Sequence, residues 1–256
     1  MTGVLAGLFG VGGGAVLVPV LYEVFGLLGV PDDVRMPLCV GTSLAIIIPT
    51  SIRSARAHHA KGAVDMAVLR AWAAPLVLGV LAGAWIARYA APQVFQLVFI
   101  AVAAINATKL LFGRDSWRLG ADLPKGPGLR LYGVGIGLAS ALMGIGGGAI
   151  SNLVLTLHGR PIHQAVATSA GVGVLISIPG AIGYMIAGWG KAGLPAGSIG
   201  FVSLLGLVLI VPTTLMTTRF GVELAHSMPR RRLEVLFGLF LAFVCLRFIW
   251  AMLSGS

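Results

Sequence analysis

The segments LFGVGGGA at residues 8–15 and LMGIGGGA at residues 142–149 decide how this chain is expected to fold. Each places three consecutive glycines inside an apolar stretch, and a glycine in a helix interior costs about 1 kcal/mol relative to alanine. We therefore expect a helix to break at each run and to restart after it. Because the eight-residue pattern occurs twice, it also predicts an internal duplication.

The composition around these segments is typical of a membrane protein. Of the 256 residues 57% are hydrophobic and 10% charged, with a mean hydropathy of +0.97, whereas soluble domains carry about 25% charged residues. The net charge of +10 does not indicate a nucleic-acid partner, because the basic residues lie in short gaps between apolar runs. We expect a multi-pass protein of the bacterial inner membrane, with the lipid bilayer as its surroundings and without a cleavable signal peptide.

The chain divides into apolar segments separated by short polar gaps. A membrane-spanning helix needs roughly 20 apolar residues. Six segments meet this requirement: 36–52, 68–87, 93–112, 164–187, 198–218 and 232–252. Two more, 2–22 and 133–157, contain the glycine runs. The polar linker 113–130 separates an N-terminal repeat, 1–112, from a C-terminal repeat, 131–256.

Two further matches support the duplication and suggest its geometry. VGTS (40–43) matches VATS (166–169), and FQLVF (95–99) matches LEVLF (233–237), in the same order. If each glycine-broken segment is re-entrant, each half keeps three crossings, and the second half is inverted. This arrangement puts 14 of the 18 Lys and Arg residues on the cytoplasmic side, against 11 if all eight segments cross. The predicted fold is therefore an all-α polytopic protein with two inverted halves.

The glycine runs are also the candidate binding elements. A helix that restarts after a break directs free amide N–H groups and the positive end of its dipole at one spot, which suits an anion. Inverted halves would bring two such spots together near the middle of the membrane. The alternative is that the glycines only allow close helix packing.

Polar side chains near the glycines complete the predicted substrate site. The matched pairs Thr42-Ser43 and Thr168-Ser169 either line the same cavity or bond back to their own helices. Asn152 follows the second run by one helical turn. The predicted substrate-binding residues are Gly12, Gly13, Gly14, Thr42, Ser43, Gly146, Gly147, Gly148, Asn152, Thr168 and Ser169.

Charged and reactive residues lie at the ends of the apolar segments. No Asp or Glu falls clearly at the centre of a span. The loop HGRPIH (158–163) either meets an anion at a cavity mouth or is simply solvated. The matched Lys109 and Arg247 are expected to snorkel to the interface. Cys39 and Cys245 are expected core residues, and no pattern indicates a metal, a cofactor or an enzyme active site.

The pattern LAGLFGVGGGAVLVPVL (5–21), its copy GLASALMGIGGGAI (137–150) and the VGTS and VATSA elements resemble the sulfite exporter TauE/SafE family of membrane permeases. The resemblance covers nearly the whole chain. It implies transport of sulfite, sulfonates or related small sulfur anions. The glycines of both runs, with Gly10 and Gly144, and the Thr-Ser pairs are the substrate-facing positions that it implies.

Residues and resemblance together predict a secondary transporter of a small sulfur-containing anion that works by alternating access. An anion channel, a permease for another anion such as a carboxylate, and an accessory subunit are the alternatives. The small-residue-rich spans allow a homodimer without requiring one.

Overall fold

The computed structural model describes residues 14–112, 119, 120, 122–124, 126–227 and 230–254. Within them the chain forms helices joined by short loops, and one hairpin of two-residue strands in which Ser198 faces Ser203. The elements are α1 Gly14–Leu27, α2 Asp32–Ala60, α3 Met66–Tyr89, α4 Pro92–Phe112, α5 Pro127–Met143, α6 Gly148–Leu157, α7 Ile162–Ala187, β1 Ser198–Ile199, β2 Val202–Ser203, α8 Leu204–Ser227 and α9 Arg230–Ser254.

Five of the described helices are long and apolar enough to cross a membrane: α2, α3, α4, α7 and residues 234–252 of α9. The outer helices α3, α4 and α9 expose large apolar side chains, including Trp85, Leu97 and Phe243. Such side chains are stable on an outer surface when that surface faces lipid. The predicted all-α polytopic membrane fold is confirmed.

The predicted span 198–218 begins differently in the structure. Residues 198–203 form the β1–β2 hairpin, whose turn uses Gly200 at a φ of +53°. The helix α8 starts only at Leu204, where the Ser203 hydroxyl accepts the N–H of Gly206 at 3.2 Å. Hydropathy alone did not distinguish the apolar hairpin from helix, because Ile199, Phe201 and Val202 suit both.

The helices α2 and α7 form the centre of the protein. In the most apolar 18 residues of each helix, 61% of the residues are buried in α2 and 56% in α7. The corresponding shares are 33% in α3, 28% in α4 and 39% in α9. A Cβ at Gly41 would lie 2.9 Å from Cβ of Tyr184, and the hydroxyls of Ser51 and Ser177 are 3.3 Å apart. Because later residues of α2 contact earlier residues of α7, the two helices run antiparallel.

Element boundaries recur along the chain at fixed offsets. The helices α1 and α6 begin 134 residues apart, and both α3 and α8, and α4 and α9, begin 138 residues apart. The contact between Ser51 and Ser177 joins two positions that are 126 residues apart, which is the offset of VGTS and VATS.

One hydrogen bond occurs twice between the N-terminal and C-terminal parts of the chain. Thr42 Oγ1 accepts the backbone N–H of Ser203 at 2.9 Å, and Thr168 Oγ1 accepts that of Asp65 at 2.9 Å. Thr42 and Thr168 are matched residues, and Ser203 and Asp65 both precede the first residue of a helix. Each part of the chain thus holds the start of a helix in the other part.

The helix α5 packs closely on α3 through glycines. A Cβ at Gly79 would overlap the carbonyl oxygen of Val134, and a Cβ at Gly137 would overlap that of Leu76. Backbones in contact at such positions form a tight helix pair. This contact fixes α5, and with it the loop that follows.

The matched basic residues Lys109 and Arg247 make specific contacts. Lys109 Nζ donates to Thr156 Oγ1 at 2.9 Å on α6, and the Arg247 guanidinium lies 3.1 Å from the Glu23 carboxylate on α1. Snorkelling alone therefore does not describe them, because each side chain finds a polar partner on a short helix. Each links an outer helix, α4 or α9, to one of the two helices that follow a glycine run.

Candidate functional site

The second glycine run forms the tip of a helical hairpin. The helix α5 ends at Met143, the loop 144–147 follows, and α6 begins at Gly148. At the other end of the hairpin the rings of Tyr132 and His158 lie 5.3 Å apart, so α5 and α6 enter and leave at the same end of the protein. Loop residues 144–147 are all buried. The sequence pattern predicted this break and restart.

Two positions in the loop need glycine for conformational reasons. Gly144 has a φ of +67° and Gly147 a φ of +71°, a region that other residues rarely adopt. A Cβ at Gly147 would also overlap Cδ1 of Ile176. The glycines therefore shape the loop as well as allowing close packing.

In the described structure, the amide N–H groups of residues 148–150 at the start of α6 have no acceptor within the helix, whereas that of Gly147 donates to the Ile145 carbonyl at 2.7 Å. The N-cap residue of α6, Gly147, supplies no side-chain hydrogen bond, and the first bond inside the helix is from Ser151 N to Gly147 O at 2.8 Å. The amide N–H groups before Ser151 have no acceptor within the helix. Together with the positive end of the helix dipole, they form an arrangement that attracts an anion.

The first glycine run meets the second. Gly14 opens α1, and a Cβ there would lie 2.7 Å from the Gly144 carbonyl oxygen and 2.8 Å from Cα of Ile145. The start of α1 therefore contacts the loop 144–147 directly. The other glycines predicted in this run, Gly10, Gly12 and Gly13, lie outside the described residues.

The serine of each Thr-Ser pair lies against the loop or the first turn of α6. Ser43 Oγ donates to the Gly144 carbonyl at 2.7 Å. Ser169 Oγ lies 2.9 Å from Ser151 Oγ, which donates to the Gly147 carbonyl at 2.6 Å. Back-bonding within their own helices does not describe these two serines, because both reach α6 or the loop before it.

The threonines of the same pairs have a different task. Thr42 and Thr168 accept the N–H groups that precede α8 and α3, as described above. They hold the framework around the site, and no hydrogen bond in the described structure joins either of them to the loop. Neighbouring residues of a helix point about 100° apart, so the serine and threonine of one pair face different partners.

The structure adds Ser140, which the sequence analysis missed. Its side chain is fully buried, and among the described residues its Oγ has no hydrogen-bond partner. A Cβ at Gly147 would lie 3.4 Å from this Oγ, so the hydroxyl faces the start of α6. A buried hydroxyl without a partner costs about 1–3 kcal/mol, which a bound ligand or water would recover.

Asn152 also carries an unpaired polar atom. Its Oδ1 is buried without a partner among the described residues, although the residue as a whole is partly exposed. Asn152 lies in α6, one turn after Gly148. Because an amide oxygen accepts hydrogen bonds and an amide nitrogen donates them, the side chain suits a polar ligand or water rather than lipid.

Fixed charges are not among the groups that surround this loop in the described structure. The contacts of the loop residues are with apolar side chains, backbone and hydroxyls, including Ile47, Val172 and Ser140. Within the described ranges no three His, Cys, Asp or Glu side chains come together as a metal site would require. The amides and hydroxyls around this loop can donate hydrogen bonds to a small, negatively charged group.

Comparison with known proteins identifies the family to which the chain belongs. A probable membrane transporter protein of Haemophilus influenzae is 32% identical over 96% of this chain and 93% of its own length. A probable membrane transporter protein of Methanocaldococcus jannaschii is 28% identical over 92% of this chain and 87% of its own length. No solved structure is significantly similar to the chain. The sequence profile described as Sulfite exporter TauE/SafE matches residues 1–248, and the chain therefore belongs to this family of membrane transporters.

Proposed function

We propose that the chain is a secondary transporter that moves a small sulfur-containing anion, sulfite or an organosulfonate, across the bacterial inner membrane. The observation that carries the proposal is the start of α6, which directly follows the buried loop 144–147. There, amide N–H groups without helical acceptors lie near the Ser140 hydroxyl, which has no partner among the described residues, and near the paired hydroxyls of Ser151 and Ser169. We assign Gly146, Gly147 and Gly148 to this site because their backbone approaches it.

A sulfur oxyanion suits such a site. Its several oxygen atoms accept hydrogen bonds from amides and hydroxyls without a fixed lysine or arginine. A permanent cation at this depth would be costly to bury and would hold the anion too tightly for release. The name of the family supports sulfite as a substrate.

We further propose that residues 1–112 and 131–256, joined by the linker 113–130, are two inverted repeats that exchange access to the site from one side of the membrane to the other. The antiparallel contact of α2 with α7 supports the inversion, because these helices carry the matched Thr-Ser pairs. The exchanged bonds of Thr42 and Thr168 support it as well. By this symmetry Gly12, Gly13 and Gly14 contribute a second, facing half of the site.

The inverted arrangement predicts that the C-terminus and the central linker lie on opposite sides of the membrane. A reporter fused after Ser256 is expected to be active in the periplasm, and one inserted after Gly120 in the cytoplasm. Paired alkaline phosphatase and fluorescent protein fusions measure both positions. If both positions report the same compartment, the inverted arrangement is wrong.

The transport function itself is tested with proteoliposomes that contain only this protein. We expect saturable uptake of ³⁵S-labelled sulfite, and competition by a small sulfonate such as sulfoacetate. A channel would instead pass the anion at a rate that does not saturate with the sulfite concentration, and would give measurable current. Absence of uptake by correctly folded protein would contradict the proposal and direct the search to carboxylates, or to a role as an accessory subunit.

A further inference from the structure

Adjacent polar residues of α7 contact the start of α6 on one side and a loop at one end of the protein on the other. Ser169 lies beside Ser151 at the site, and Thr168 directly precedes it in the sequence. Thr168 Oγ1 accepts the backbone N–H of Asp65, whose carboxylate faces Arg160. Arg160 directly precedes Pro161, the N-cap residue of α7, and lies just beyond the last residue of α6. The ion pair of Asp65 and Arg160 is therefore a charged group in contact with this end of α7.

This ion pair is only partly formed. Arg160 Nη2 and Asp65 Oδ2 are 3.7 Å apart, whereas a charge-assisted N–H···O bond is about 2.7–2.9 Å long. The other carboxylate oxygen, Oδ1, accepts the N–H of Val68 at 3.2 Å and so caps α3. Arg160 Nε is buried and has no hydrogen-bond partner among the described residues. The guanidinium thus retains donors that Asp65 does not use.

Arg35, in the first turn of α2, offers a contrast. Its Nε and Nη2 donate to the carbonyl of Val30 at 3.0 and 2.8 Å, and Nη2 lies 2.7 Å from the Asp32 carboxylate. Its guanidinium also lies over the ring of Tyr22, 5.3 Å from the centroid. Arg35 is fully engaged in holding local structure, whereas Arg160 is not.

His158, in the same loop as Arg160, is also committed to structure. It is 5% exposed, its Nδ1 lies 2.8 Å from the carbonyl of Val154, and its ring packs on Tyr132. The backbone of Leu157, which precedes it, accepts the N–H of Leu119 at 2.8 Å. Of His158 and Arg160, the described contacts thus leave the guanidinium of Arg160 as the better placed to meet an anion.

We propose that Arg160 receives the sulfur oxyanion at the mouth of the transport route, where the anion displaces the carboxylate of Asp65. This inference rests on the proposed function. The planar guanidinium matches two oxygens of a sulfite or sulfonate group, through Nε and one terminal nitrogen. The Arg160 side chain is 33% exposed, so its charge is not buried at full cost. Asp65 competes with the anion, which keeps the affinity low enough for the anion to move on.

The test compares four variants in the proteoliposome uptake assay with labelled sulfite. We expect Arg160→Gln to raise KM about tenfold while changing Vmax less than about twofold, because a bidentate charged contact is lost. We expect Asp65→Asn to lower KM about threefold, since the competing charge is removed while the amide oxygen can still cap α3. The double variant should have the KM of Arg160→Gln alone, because removing the Asp65 charge has no effect on anion binding once Arg160 is absent.

Arg35→Gln is the matched control. It should lower the melting temperature of the purified protein, because Arg35 holds the turn before α2, and leave KM unchanged in the folded fraction. If Arg160→Gln transports sulfite with the KM of the wild type, the assignment of Arg160 is wrong although the transport function stands. If the folded wild type carries neither sulfite nor a sulfonate, the transport proposal fails and this inference fails with it.

Discussion

Gly147→Ala is expected to reduce sulfite uptake by at least about 100-fold while the protein remains in the membrane. The new Cβ would lie 3.4 Å from Ser140 Oγ, in the space where the proposed anion meets the start of α6. It would also overlap Cδ1 of Ile176, the end of a flexible side chain that can move aside. Uptake into proteoliposomes, normalised to folded protein from size-exclusion chromatography, measures the effect.

Gly190→Ala separates the filling of the site from backbone strain. Gly190 has a φ of +73°, close to the +71° of Gly147, but a Cβ there would meet nothing within 4 Å. Both variants therefore carry a similar backbone strain, of about 1–2 kcal/mol, from the positive φ. Gly190→Ala should keep most of the uptake. Equal uptake by the two variants would contradict a site at Gly147.

Ser140→Ala is expected to raise the KM for sulfite about tenfold without lowering stability. The Ser140 hydroxyl is buried and unpaired among the described residues, so its removal breaks no hydrogen bond of the described structure and relieves a desolvation cost of about 1–3 kcal/mol. The loss appears only when the anion is bound. The melting temperature of the purified variant, with and without sulfite, and the KM of uptake measure the two effects separately.

Ser51→Ala is the control for this variant, because Ser51 is also a buried serine but has partners. Its hydroxyl donates to the Ile48 carbonyl at 3.1 Å and lies 3.3 Å from Ser177 Oγ. Removing it should destabilise the protein by about 1 kcal/mol and leave KM unchanged. If Ser140→Ala behaved like this control, with lower stability and an unchanged KM, Ser140 would be a structural residue.

Much of the helical layout follows from local sequence. The glycine run at 146–148 breaks the chain because consecutive glycines disfavour helix, and α6 restarts at Gly148. Apolar length predicted α2, α3, α4, α7 and α9, since a membrane requires such lengths. It failed at the β1–β2 hairpin, where apolar residues pair as short strands, and periodicity over so few residues carries no distinction.

The partners of the polar side chains were harder to predict. The recurring sequence patterns singled out the matched Thr-Ser pairs, but only the rotation of α2 and α7 decides that Ser43 faces the glycine loop while Thr42 faces Ser203. Ser140 gave no repeat signal, because the residue 134 positions earlier is Ala6. Its importance depends on burial and on the lack of a partner, and both are properties of the packed structure.

Arg160 shows the same limit for charged residues. The loop HGRPIH contains three basic side chains, and its sequence alone is equally compatible with solvation and with anion binding. The structure distinguishes His158 from Arg160, because His158 is packed on Tyr132 whereas Arg160 keeps a buried nitrogen without a partner among the described residues. Such a distinction requires contacts between distant parts of the chain.

The most direct test of the central claim is counterflow of sulfite in proteoliposomes that contain only this protein. Vesicles are loaded with a high concentration of unlabelled sulfite and diluted into a trace of ³⁵S-labelled sulfite. A carrier that alternates its access should accumulate the label transiently above the outside concentration, because returning carriers are occupied by unlabelled anion. Label that only equilibrates, at a rate independent of the sulfite inside, would contradict alternating access by this protein.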